Sequence, residues 1–445
     1  MHTASQRTLH TLEQIVKSVP IGTNLALLQL IWALITGAFI PARGSVHMAL
    51  SLAGFAPSEI RRSWAALRYG VWDVQELLLH FRTLVVAEQQ WQAHEYEGYR
   101  PLSVDLTAIW RPQIKGWSGK LYRQLIGKSF LGIGFGLIAE VGHIEGHRLP
   151  LLKAIVRAPD GAHSEDTLKK KTLRKAAHLL REKQVLIHDA GVTLKQVHEE
   201  HVARFVIRLS CNCTGRRPQL PPYKGIGARP KKGILVRPLE RVFKGNTLAA
   251  TSADVTTTFI LDGRQVTAYG WHGLMRSDLH MADPHELFSV WVIDDPMFEG
   301  VLVLGTNLPT TVSPQTIYQL YIDRWPIEQI PLVAKQMLGC HRQFVFAHTS
   351  CWRLGELAFF VGNVLTWLAA TSPPLPSGYW DRHPKKRLGG YDAIWRALIF
   401  QKRCLFPSEF EKSAQLPPIY PRESKHIGVA KLVKRRFDLI LSPYC

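Results

Sequence analysis

Acidic residues are in short supply in this chain. Asp and Glu number 35 against 55 Lys and Arg, a formal charge of +20. So much uncompensated positive charge repels itself, and a polyanion is the commonest partner that offsets it, which puts nucleic acid first among the expected partners. Cysteine is scarce too, with six in 445 residues and Cys211 and Cys213 one residue apart. That excludes a disulfide framework and points to free reduced thiols in a cytoplasm. Cys340, His341, His348 and Cys351 lie near one another but lack the C-x2-C and H-x3–5-H spacings of strong zinc sites. Low-complexity blocks are missing, and 46% hydrophobic with 20% charged residues is a globular composition.

Long apolar runs are also rare. The exception is residues 20–42, "PIGTNLALLQLIWALITGAFIPA", which carries no charge. Thr23, Asn24, Gln29 and Thr36 interrupt it, and it lacks a small-residue cleavage site of the secretory type. It therefore reads as a buried helix of a helical domain, not a membrane span.

A chain of this length exceeds one ordinary core, so two or three domains are expected. Residues 1–98 read as helical throughout. Within them, "GSVHMALSLAGFAPSEIRRSWAALRYG" (residues 44–70) reads as helix, glycine turn, helix, with Ser58 as N-cap and Arg61, Arg62 and Arg68 on the second helix. That spacing suits a DNA-binding helix-turn-helix with Arg61 and Arg62 as contacts, and equally suits any helical hairpin. The period then falls to two: Leu102, Val104, Leu106 and Ala108 alternate with Ser103, Asp105 and Thr107, a half-buried strand. Strands are expected near 130–141 and 149–157, a basic helix over 167–183 and an apolar strand ending at Asp189. A helix over 193–202 and a strand over 204–209 follow. Three sequential strands predict an antiparallel meander, and the later helices predict parallel crossovers. The fold class is α/β, a mixed sheet with flanking helices, and residues 99–210 form the first part of that core.

Residues 211–312 read as β-rich and open with a basic loop. From 211 to 244 the chain holds Arg216, Arg217, Lys224, Arg229, Lys231, Lys232, Arg237, Arg241 and Lys244 against one acid, Glu240. This is either a solvated linker or a phosphate-tracking surface, with Arg229, Lys231 and Lys232 as candidate contacts. Four β-type runs follow, "VTTTFIL", "RQVTAYG", "LFSVWVID" and "GVLVLGTNL". Ser313 and Pro314 then make an N-cap and N1 pair that opens a helix, within residues 313–372, the second part of the core. Residues 373–445 are Pro-rich and basic and read as a peripheral extension.

The helix after Ser313 carries "YIDRWPIEQIPLVAK", residues 321–335. At about 100° per residue, Tyr321, Arg324, Glu328 and Lys335 fall within a roughly 60° sector, with Asp323 opposite. Pro326 and Pro331 lie inside the segment. Pro331 removes the N–H that would bond Ile327, so a kink or break is expected. Taken singly, Glu328 on a helix, Asp105 in a strand and Asp189 after one all have ordinary structural explanations.

The order Asp105, Asp189, Glu328, together with Y-x2-R-x3-E-x6-K at Tyr321, Arg324, Glu328 and Lys335, resembles the DDE transposases of bacterial insertion sequences. The closest likeness is to the cut-and-paste group that carries this signature. "TNLPTTVSPQTIYQLYIDRWPIEQ" is similar to that group's approach to its catalytic helix, and the resemblance spans about residues 100–370. It implies an RNase H-like core interrupted by a β-rich insertion domain, behind an all-helical N-terminal domain. It implies catalysis by Asp105, Asp189 and Glu328, which would hold two Mg²⁺ ions, with Mn²⁺ able to substitute. Tyr321, Arg324 and Lys335 would contact DNA. The implied partner is double-stranded DNA, both as transposon ends and as target, with a homodimer on paired ends in the bacterial cytoplasm and at the nucleoid.

The chemistry suits these residue types. In-line displacement at a phosphodiester needs charge neutralised on the attacking and leaving oxygens, and two divalent ions about 4 Å apart do this. Mg²⁺ prefers carboxylates and keeps several waters. Water would free a 3′-OH that then attacks target DNA. Rival readings are a stand-alone metal-dependent nuclease with the same core and a catalytically decayed DNA-binding derivative. The chain departs from many relatives at Ala190, where they carry an arginine, and at Pro331 and Leu332 after the glutamate. "GVLVLGTNL" also lacks the tryptophan that well-known relatives use to hold a flipped-out base, which leaves Trp271, Trp291 or Phe298 to stack it.

Overall fold

Five helices come first: α1 (Ala4–Val16), α2 (Thr23–Ile35), α3 (Val46–Leu52), α4 (Pro57–Tyr69) and α5 (Val74–Ala87). The computed structural model describes residues 4–372 apart from 118, 124–125, 159–163, 224, 226–228 and 280–285; the basic extension at 373–445 and Lys224 lie outside the described residues. The uncharged run supplies α2, which is apolar on every side and buries ten of its 13 residues. Thirteen helical residues reach only about 20 Å, short of a hydrocarbon core of about 30 Å. The expected hairpin is formed by α3 and α4. Its second helix starts two residues earlier than expected: Pro57 takes N1, Ala56 is the N-cap, and the Ala56 N–H donates to Glu59 Oε2 at 2.7 Å. Ser58 is therefore inside the helix. Proline's fixed φ and missing N–H suit N1, which moves the cap outward.

The core strands lie where they are expected, with two short ones added. They are β1 (Gln92–Ala93), β2 (Arg100–Trp110), β3 (Lys120–Arg123), β4 (Lys128–Ile144), β5 (His147–Arg157), β6 (Gln184–His188) and β7 (Phe205–Arg208), with α6 (Glu165–Leu179) and α7 (Leu194–Glu199) between the last three strands. The additions are β1 and β3, and β2 is not half-buried: Ser103 and Thr107 on its polar face are buried as well. β2, β4 and β5 form the antiparallel meander. β6 joins β2 in parallel and β7 joins β6 in parallel, through the α6 and α7 crossovers. Ser164 caps α6 and Thr193 caps α7, each through its hydroxyl.

Most of the segment after β7 joins the core sheet. Short strands β8 (Gly215–Arg216), β9 (Leu235–Val236), β10 (Arg241–Phe243) and β11 (Asn246–Leu248) lead into β12 (Val255–Leu261), β13 (Arg264–Arg276), β14 (Phe288–Asp294) and β15 (Leu302–Thr306). Only β10 with β11 forms a separate two-stranded sheet. β15 returns to pair antiparallel with β7, so the insertion extends the core sheet across its outer edge. At the seam the Thr306 hydroxyl donates to Phe205 O at 2.7 Å, and the Phe205 N–H donates to Asn307 Oδ1 at 2.9 Å. One buried cluster runs from Leu102 and Leu173 through Phe205 to Trp271 and Val303, and a second runs from Val185 through Trp291 to Tyr321. Both faces of the sheet are thus continuous across the seam.

The chain closes with α8 (Pro314–Ile322), a single turn α9 (Gln329–Leu332) and the long α10 (His348–Thr371). Among the described residues, α10 is the one helix long and apolar enough to cross a membrane, and its apolar window is wholly buried inside the protein. Two of its polar side chains are matched by the sheet. Asn363 accepts from Leu152 N at 2.9 Å and donates to Pro150 O at 2.7 Å, and Glu356 takes Arg157 Nη2 at 2.6 Å. The N-terminal helices, α10 and one face of β4 and β5 bury their side chains in one cluster, from Leu12 to Ala370.

Candidate functional site

The site begins with strand register. β2 and β6 run parallel with Ser103 opposite Ile187. Two residues further along each strand are Asp105 and Asp189, which share a sheet face because side chains alternate with a period of two. Neighbouring strands lie about 4.8 Å apart, so Asp105, midway along β2, stands beside Asp189, the residue just after β6. β7 adds a cation at the same level. His188 is opposite Ile207, and the next residue, Arg208, brings Nη1 to 3.8 Å from Asp189 Oδ1.

The proline-containing segment covers this face, but not as one helix. α8 ends at Ile322, residues 325–328 form a 3-10 turn, α9 supplies one α turn, and residues 333–337 form a π turn. The expected break is therefore double: the helix tightens where Pro326 enters and widens after Pro331, where the N–H is missing. The single-face geometry fails beyond Pro326, yet all four residues still reach the site. The Tyr321 hydroxyl donates to Asp189 Oδ1 at 3.1 Å. Arg324 Nη1 donates to Glu328 Oε1 and lies 3.9 Å from Asp189 Oδ2, so one guanidinium bridges two of the carboxylates. Lys335 Nζ donates to the Thr107 hydroxyl at 2.6 Å, one strand repeat beyond Asp105.

The electrostatics follow from that arrangement. Burial, and then the charge of Glu328, raises the Asp105 carboxyl to about 6, against the opposing pull of Arg324 and Lys335. Burial also pushes Asp189 upward, but Arg324, the Ala190 N–H, Arg208 and the Tyr321 hydroxyl outweigh it and leave Asp189 below its ordinary value. Burial, with Asp189 beside it, raises Tyr321 to about 12. Burial lowers Lys335 to about 8, with Asp105 pulling the other way. Arg324 is held firmly charged: burial disfavours its cation, and Glu328 and Asp189 more than compensate.

Asp323 does point away, as its angle predicted, and it is fully buried. Its Oδ2 lies 2.7 Å from His94 Nδ1 and takes the Tyr96 hydroxyl at 2.9 Å, while Arg148 Nε is 3.3 Å from Oδ1. Its backbone carbonyl accepts from the Ser103 hydroxyl at 2.7 Å. These contacts anchor the turn from which Arg324 projects. They join residues far apart in the sequence, where no local signal announces them. Arg208 was also missed, although extending the β6–β7 register by one residue would have found it.

The other candidates are more scattered. Arg61 and Arg62 are exposed on α4. Arg229 and Lys231 are exposed, Lys232 is half-buried, and Arg229 lies over the Tyr223 ring at 5.6 Å. The basic loop is less free than expected, because several of its arginines bind the protein itself. Arg217 pairs with Asp254 at 2.5 Å, Arg216 donates to Gly233 O and Arg237 to Ala249 O. Of the three stacking candidates, Trp271 and Trp291 are buried, while Phe298 is exposed and meets Trp325 edge-to-face at 5.5 Å. Cys211, Cys213, Cys340 and Cys351 are free thiols. Among the described residues, no three His, Cys, Asp or Glu side chains are grouped to hold a metal ion, and Arg324 contacts the carboxylates of both Asp189 and Glu328.

No protein-family model matches the chain, and a search of curated proteins finds no match either. The reading of the site therefore rests on its geometry and on the sequence pattern.

Proposed function

We propose that the chain is a DNA transposase with an RNase H-like core, cutting phosphodiester bonds at element ends and joining the freed 3′-OH to target DNA. The observation that carries this reading is the placement of Asp105 in β2 and Asp189 just after β6, each two residues beyond the Ser103–Ile187 pair, with Arg324 linking Asp189 to Glu328. The order β5, β4, β2, β6, β7, three antiparallel strands then two parallel ones, supports the core assignment.

The donor set fits Mg²⁺ or Mn²⁺. It is all carboxylate, hard oxygen on a rigid sheet and a neighbouring turn, and burial, then the charge of Glu328, raises the Asp105 carboxyl, a cost that a bound cation would relieve. Asp105, Asp189 and Glu328 would hold the metal, which when bound neutralises charge on the attacking and leaving oxygens. Arg324 presents a planar fork suited to phosphate once the carboxylates release it. Lys335, lowered to about 8, adds a point charge beside Asp105. Tyr321 fixes the rotamer of Asp189 through its hydroxyl.

The test is a cleavage assay in Mg²⁺ on DNA cloned from both sides of the gene, where the reading expects inverted repeats. Asp105→Asn, Asp189→Asn and Glu328→Gln should each abolish strand cleavage while end binding stays within about threefold, since these residues hold metal and not DNA. Cleavage above background by any of the three would sink the assignment.

A further inference from the structure

Beyond the carboxylates, the chain that follows Glu328 tracks one face of β2. Lys335 meets Thr107, and ten residues later Val345 O accepts from Arg111 Nη1. Asp105, Thr107 and Arg111 are separated by even steps and so share a face, and Arg111 lies about 20 Å from Asp105 along the strand direction. At that end two phenylalanines stand in solvent. Phe344 and Phe346 are each 62% exposed, with their rings edge-to-face at 5.2 Å. Single exposed hydrophobic residues are ordinary. An exposed aromatic pair on a tightly held backbone is less so.

The backbone here is held from three sides. Val345, between the two rings, is buried, and its carbonyl takes both Arg111 and the Cys351 thiol. The Phe344 N–H donates to Gly44 O at 2.9 Å. Gly44 has φ +81°, and a Cβ there would lie 1.2 Å from Arg342 O, so the two segments are pressed together without room for a side chain. The rings are thus presented on a scaffold that loses little freedom when something stacks on them.

The surroundings select the partner. Arg111 lies over the Phe346 ring at 5.2 Å, and Arg43, Lys115 and Arg342 are exposed on the adjoining segments. The three stretches that meet here, residues 14–58, 106–139 and 329–355, contain no Asp or Glu at all. Aromatic faces interleaved with cations, without a carboxylate, suit a polyanion that carries flat rings of its own. Paired bases inside a duplex cannot offer those rings, whereas an unpaired strand can.

We propose that Phe344 and Phe346, with Arg111 beneath, form a stacking platform for unpaired nucleotides of a single DNA strand leaving the carboxylate site along β2. The choice of DNA rests on the function proposed above; the platform itself rests on the exposed rings and their acid-free surroundings. The test uses the full chain, a fluorescein-labelled oligo-dT of about 20 nucleotides and a duplex of the same length, read by anisotropy. Replacing both rings, Phe344→Leu with Phe346→Leu, should weaken oligo-dT binding at least about tenfold and duplex binding less than about twofold. Phe344→Trp with Phe346→Trp should hold oligo-dT at least as well as the wild type. Should the leucine pair lower the melting temperature, Phe346→Gln alone, at a ring already in solvent, carries the same comparison.

Equal losses on both DNAs, no loss on either, or a tryptophan pair as weak as the leucine pair would overturn the platform. Equal weakening on phosphatidylserine vesicles would overturn it in favour of a membrane surface. The two proposals separate cleanly. Loss of oligo-dT affinity with Mg²⁺-dependent nicking intact supports the platform. A wild-type protein that grips oligo-dT through these rings but never nicks DNA refutes the transposase and leaves the platform standing.

Discussion

Replacing Asp105 with Asn should make the protein more stable, not less. In the folded chain burial and Glu328 raise this carboxyl from 3.8 to about 6. A raised folded value means that the folded state holds the proton more tightly than the unfolded state does. The resulting stability is fully present below pH 3.8 and is lost as pH rises through about 6. Above that, the folded protein bears the whole penalty of a crowded charge. A shift of about two units at 1.36 kcal/mol each puts the penalty at about 3 kcal/mol. Asparagine keeps the shape and removes the charge, so Asp105→Asn should gain about 2–3 kcal/mol in urea denaturation at pH 7.5 with EDTA. At pH 4.5 the gain should shrink to about 1 kcal/mol, because the wild-type folded state then holds its proton. Mg²⁺ should stabilise the wild type and close the gap, since it supplies the missing positive charge. A variant no more stable than wild type at pH 7.5, or a gain that does not change with pH, would refute the crowding on which the metal assignment leans.

Three further outcomes are expected. Arg324→Lys keeps a charge but cannot span Asp189 and Glu328 with one planar fork, so a transposon end should still be nicked while joined product in a plasmid assay falls on the order of a hundredfold. Equal loss of nicking and joining would show that Arg324 does not position the strand, and a wild type that nicks but never joins is a nuclease. Replacing Arg229, Lys231 and Lys232 with Ala should weaken specific and random DNA alike and flatten the salt dependence by up to about 0.9 in slope per lost phosphate contact. An unchanged slope makes that segment a linker. Gly44→Ala forces a side chain into Arg342 O at a left-handed φ, and should cost on the order of 3 kcal/mol in denaturation experiments. A cost under about 0.5 kcal/mol would mean that the contact between the two segments gives way easily.

The strands were legible because alternation survives wherever one sheet face is buried. Leu102, Val104 and Ala108 go inward as their spacing requires. The cap at Ser313 and the breaks around Pro326 and Pro331 were legible because proline chemistry is local. Partnership over long separations was not legible. The carboxylates of Asp189 and Glu328 were found, but the arginine between them became a bridge only once β6 and the turn after α8 met. Asp323 gave an angle but no partner, since His94, Tyr96 and Arg148 come from two other segments. The internal contacts of the basic loop were hidden for the same reason. Arg216 and Arg237 spend their donors on backbone carbonyls, which composition cannot see. Trp271 and Trp291 were plausible stackers by type, and only burial removes them.

The pairing of β15 with β7 also fixes what could be cut from this protein. β7 is four residues long, and β15 pairs with three of them along its outer edge. A chain trimmed of residues 211–312 would keep every carboxylate yet present a bare rim of unpaired N–H and C=O groups. Such a rim invites a second copy to dock strand against strand. The insertion is thus an edge guard as well as an appendage, and a minimised version of this protein would meet aggregation before it lost its chemistry. Shortening is safer at the β12–β13 hairpin tip, where Asp262 and Gly263 turn the chain at positive φ and no core strand leans on the loop.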